Sequence, residues 1–94
     1  MPPSPARSAL YDAILSLKTR EEVEAFMADL CTPAELRAFG ERWQVARLLD
    51  GGGKSYREIA AEAHASPTTV VRVARYLKDM PHQGYRLALD RLKA

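Results

Sequence analysis

Apolar positions along this 94-residue chain recur at helical rather than strand spacing. Leu10, Ile14 and Leu17 fall on one face of a first helix, after a Pro-rich start whose residues 1–8 are expected to fray. Thr19 with Glu22 has the spacing of a capping box, and Val23, Phe26, Met27 and Leu30 then make the apolar stripe of a second helix. Thr32 is suited to cap a third. Pro33 stands at its first position, where a missing N–H does no harm, and Glu35 is placed to reach back to the cap. This helix is predicted to run to about Asp50, where Gly51, Gly52 and Gly53 end it. No stretch alternates β-branched or aromatic residues with polar ones at period two, so the expected fold class is all-α.

The segment SYREIAAEAHASPTTVVRVARYLK carries the most specific pattern. Ser55 and Glu58 repeat the capping box and open a short helix through Ala63, and Ser66 with Pro67 opens another only a few residues later. Two helices so closely joined must cross steeply, which is the geometry of a helix-turn-helix over about residues 54–78. Their contact needs a small side chain flanked by aliphatic ones. Ala60 supplies it, with Ile59 and Ala63 on the first helix and Val70, Val73 and Leu77 on the second. His64 takes the turn position, which favours a positive φ and therefore usually glycine.

With those residues turned inward, Thr68, Thr69, Arg72 and Arg75 form the outward face of the second helix, and Lys54, Arg57 and Lys78 flank it. Short hydroxyls near a helix start can approach base edges and phosphates, and arginine can bridge two acceptors of guanine. Ser55, Tyr56, Ser66 and Pro67, at the starts of the two helices, complete the expected DNA-contacting set. The competing reading of this segment is a protein–protein interaction module on a helix-turn-helix scaffold. A basic outward face favours DNA, because a docking helix usually exposes apolar anchors.

Charge distribution sharpens this reading. The formal net charge of +2 is weak by itself, but the chain carries six basic against eight acidic residues up to Asp50 and eight against four from Gly51 onward. One cysteine, Cys31, allows no intramolecular disulfide, and MPPSPARSAL lacks the apolar core of a secretory signal, so a cytoplasmic, nucleoid-associated location is expected. No apolar run approaches the length needed to cross a bilayer, and no membrane partner is expected. His64, His82 and Cys31 lack the spacing of a metal site, and GGGKS lacks the strand and spacing of a phosphate loop, so neither an enzyme nor a cofactor is expected. Trp43, Phe39 and Leu36 share a helical face suited to a core or a dimer interface.

From Thr32 to Pro81 the chain resembles the Trp-repressor superfamily without a gap, on CTPAELRAFGER before the motif, SYREIAAEAHAS and TTVVR within it, and LKDMP after it. Within that superfamily it resembles the YerC/YecD group of Trp-repressor-like proteins more closely, which shares LYDAILSLKTREEVEAFMADLCTPAE and GYRLALDRL in recognisable form. The resemblance implies a six-helix fold in an intertwined homodimer, with a dimerisation core over 9–53 and a C-terminal helix over 82–93. It further implies a transcriptional regulator of double-stranded DNA, a repressor by analogy. Arg57 matches a DNA-contacting arginine, and Pro67, Thr68 and Thr69 match the base-reading start of the second helix. Arg42 and Arg72 match the two arginines that flank the tryptophan corepressor, and Thr32 matches a threonine whose backbone helps hold it. Val73 and Tyr76 replace a glycine and a serine there, so a filled effector pocket and DNA binding without tryptophan are expected.

Overall fold

The computed structural model of the chain describes residues 4–93, all of whose regular structure is helical. Six helices follow one another: α1 (Pro5–Ser16), α2 (Arg20–Leu30), α3 (Pro33–Gly51), α4 (Tyr56–Ala63), α5 (Pro67–Lys78) and α6 (Gly84–Lys93). The chain divides into two compact units, Met1–Leu36 and Arg37–Ala94.

In the first unit, α1 begins within the stretch expected to fray. Ser4 Oγ accepts a hydrogen bond from the Arg7 N–H at 3.2 Å and Pro5 occupies the first turn, which is enough to fix the start. Residues 1–3 lie outside the described residues. Thr19 caps α2 by accepting from the Glu22 N–H at 3.1 Å, but the Glu22 carboxylate takes the Lys18 N–H at 2.7 Å instead of the cap's own, so the expected capping box is only half formed. Thr32 and Glu35 form the full reciprocal pair, at 3.1 and 2.8 Å. The hydrogen bond from the Thr32 backbone holds the Glu35 carboxyl below its ordinary pKa. Neither α1 nor α2 buries a single residue, and Leu15 is 81% exposed.

The second unit has a true core. Val45 and Ala46 of α3, Ile59 and Ala63 of α4, and Val70 and Val73 of α5 are buried together. Trp43, Leu48, Leu49, Ala60, Ala65 and Tyr85 pack around them. The spacing of three between Val70 and Val73, with Ala74 also buried, places one stripe of α5 against α3 and α4. Leu89 of α6 is buried as well, and Trp43 stacks on Tyr85 with ring centroids 6.3 Å apart.

A clamp joins the end of α3 to α6. Arg86 donates to Asp50 Oδ1 at 2.7 Å, Lys93 Nζ lies 2.5 Å from Oδ2, and the Asp50 side chain is only 10% exposed. The two cations, Lys93 first and Arg86 second, hold the Asp50 carboxyl below its ordinary value of 3.8.

Candidate nucleic-acid interface

The turn between α4 and α5 is built by backbone rules that His64 is made to obey. It adopts φ 54°, ψ 38°, in the left-handed region, while the Ala65 N–H bonds to the Ala60 carbonyl at 3.0 Å and the His64 N–H to the Ala61 carbonyl at 3.4 Å. This pair of bonds is a Schellman motif, which reverses the chain in two residues and needs the left-handed residue where it stands. Ser66 then caps α5, its Oγ accepting from the Thr69 N–H at 3.1 Å.

The start of α4 is equally defined. Ser55 Oγ accepts from the Glu58 N–H at 3.1 Å and the Ser55 N–H donates to Glu58 Oε1 at 2.9 Å. That backbone hydrogen bond lowers the Glu58 pKa from its ordinary 4.5, and the Lys54 charge adds to the effect. Tyr56 and Arg57 are exposed in the first turn of α4.

On α5, Pro67, Thr68, Arg72, Arg75 and Lys78 are exposed, and no acidic residue lies anywhere between Pro67 and Lys78. Arg57, Arg72, Arg75 and Lys78 form no ion pair among the described residues. Besides the capping residues Ser55 and Ser66, two further residues of the expected interface are engaged within the chain. Lys54 pairs with Glu62, and Thr69 is half-buried with its hydroxyl 2.9 Å from that of Ser66. Thr68 is thus the open hydroxyl at the start of α5.

Each of the expected effector residues has its own surroundings. Val73 is fully buried in the core. Tyr76 is half-buried, with the Arg72 guanidinium carbon 4.6 Å from its ring centroid and the His82 ring stacked at 6.5 Å. Arg42 lies 5.1 Å from the centroid of the Phe39 ring on its own helix, and Thr32 is engaged as the cap of α3.

Sequence reasoning missed three features: the Asp50 clamp, the Tyr76–His82 stack, and Val71, which is 57% exposed on α5. Only the last carried a signal in the sequence, since residue 71 falls off the apolar stripe of Val70, Val73 and Ala74.

Residues 7–93 match the family described as Trp repressor protein. The chain belongs to the Trp repressor protein family. This is a family of helix-turn-helix DNA-binding regulators and not one of enzymes. An uncharacterized relative, YerC of Bacillus subtilis (strain 168), is 43% identical over 84 residues, which cover 89% of this chain and 79% of YerC. Among solved structures of Trp repressor-like proteins, a candidate Trp repressor from Staphylococcus aureus is 38% identical, with a TM-score of 0.90 over 97% of this chain and 89% of that one. A TrpR-like protein from Eubacterium eligens ATCC 27750 is 36% identical, with a TM-score of 0.89 over 96% of this chain and 91% of that one. Among the described residues, no helix of this Trp repressor relative is long and apolar enough to cross a membrane, and no group of three or more His, Cys, Asp or Glu could hold a metal ion.

Proposed function

We propose that the chain is a sequence-specific regulator of transcription, acting as a repressor, that inserts α5 into the major groove of double-stranded DNA as a homodimer. The observation that carries this reading is the exposed face of α5, where Thr68, Arg72, Arg75 and Lys78 have no carboxylate partner among the described residues, on the second helix of a helix-turn-helix. An uncompensated cationic helix face repels its own charges and is stabilised by phosphates. The start of α5 supports the same placement: Pro67 has no N–H, Ser66 satisfies that of Thr69, and the Thr68 N–H remains open towards an anion. Lys54 would exchange Glu62 for a phosphate on binding.

Two copies would place two α5 helices in successive major grooves, at half-sites about one turn, ~34 Å, apart. The absence of any buried residue in α1 and α2 supports a second copy as their partner. A repressor working in the nucleoid needs no membrane contact.

Tryptophan is not required in this reading. The burial of Val73 in the core and the Arg72 guanidinium lying over the Tyr76 ring support a filled pocket.

The test starts from a palindromic duplex selected out of randomised DNA. Thr68→Ala is expected to weaken binding by about 1–3 kcal/mol and to relax choice at one base pair per half-site. Lys78→Ala is expected to weaken selected and random DNA alike and to lower the salt slope by about one unit for each phosphate it no longer neutralises. Titrations repeated with millimolar L-tryptophan are expected to superimpose, and a tenfold gain, about 1.4 kcal/mol, would show an open effector pocket. Equal losses on selected and random DNA for both variants would refute base reading by α5.

A further inference from the structure

Packing accounts for every valine of α5 except one. Val70 and Val73 are fully buried, whereas Val71 is 57% exposed. The core stripe of Val70, Val73 and Ala74 turns inward, and residue 71 lands with Thr68 and Arg75, three positions before and four after it, on the outward face. Among the described residues Val71 takes no part in the buried core, and a β-branched residue at an exposed helical position lowers helix propensity.

Its surroundings are those of a contact surface. Thr68, Val71, Arg72, Arg75 and Tyr76 line a shallow depression of about 380 Å³. The Arg72 guanidinium is held over the Tyr76 ring, and the Val71 methyl groups remain open between polar neighbours. In the major groove only thymine presents a methyl group, at C5; every other base edge offers polar atoms or a bare C–H. A valine pressed on a polar edge would remove that edge from water with no hydrogen bond in return. Pressed on a thymine methyl, it would remove apolar surface on both sides from water.

We propose that Val71 is a specificity-determining residue that packs on the thymine 5-methyl group at one fixed position of each half-site. The inference rests on α5 entering the major groove, as proposed above, and adds the chemical group that is read there.

Replacing thymine by deoxyuridine removes the methyl group and leaves base pairing intact. Each thymine of the selected duplex is therefore replaced in turn, and affinities are measured for the unaltered protein and for Val71→Ala. Alanine is the better helix former and removes nothing from the core, so helical content should persist, as circular dichroism would verify. The unaltered protein should lose about fourfold in affinity at one position per half-site, the worth of one methyl group, and about fifteenfold when both half-sites are altered. Val71→Ala should bind the thymine and deoxyuridine duplexes nearly alike at that position. Specific binding with no deoxyuridine penalty, with penalties unchanged in Val71→Ala, or to a selected site lacking thymine would overturn the inference and leave groove reading by α5 in place. No preference for any sequence over random DNA would overturn groove reading itself, and this inference with it.

Discussion

Val71 and Val73, two positions apart on α5, meet opposite environments: the first is mostly exposed and the second fully buried. One residue type therefore does two jobs, decided by helical phase alone. Asp50 shows the same dependence on surroundings for a charged group. Lys93 and Arg86 lower its pKa, so the folded chain binds this proton less tightly than the unfolded one does. The resulting stabilisation is fully present above the ordinary value of 3.8 and is lost as pH falls through the lowered folded value. At fixed protein concentration, Asp50→Asn is expected to lower the urea midpoint at pH 7 and to differ progressively less from the unaltered protein towards pH 3. A difference that stays constant with pH would show that the clamp acts through packing and not through charge.

At the scale of elements, the helix starts are the most legible part of the chain. Ser55 with Glu58, Thr32 with Glu35, and Ser66 with Pro67 all cap as their spacing implies, because each bond joins residues three apart and depends little on the rest of the fold. The left-handed turn at His64 is legible for the same local reason. Its strain gives a direct check: His64→Gly removes the Cβ from a left-handed position and is expected to stabilise the protein by about 0.5–1 kcal/mol. A loss of stability on urea unfolding would mean that the imidazole makes a contact worth more than the strain. What stays hidden depends on chain-distant partners. The Asp50–Arg86 bond joins residues 36 apart, and nothing in the sequence around either announces the other. Lys54 and Glu62 are closer, but their pairing depends on how α4 leaves its cap. Thr69 has the phase of a base reader, yet its hydroxyl turns to that of Ser66 because the capping residue lies within reach.

Among the described residues, the unit Arg37–Ala94 holds a well-buried core, whereas α1 and α2 of the unit Met1–Leu36 bury no residue. Leu15, Leu30, Tyr11 and Val23 are exposed, and in the proposed homodimer a second copy covers them. Sedimentation equilibrium at micromolar concentrations is expected to give twice the 10.5 kDa chain mass. A persistent single-chain mass would leave the first two helices without a partner and remove the basis for a palindromic site. Base reading by the proposed dimer shows itself in a single ratio. The dissociation constants for the selected palindrome and for a scrambled duplex of equal length are measured in the same buffer near physiological salt. A preference of at least about a thousandfold is expected, within the range of specific DNA-binding proteins. A ratio near one at every salt concentration would mean that the basic face of α5 binds phosphates without reading bases.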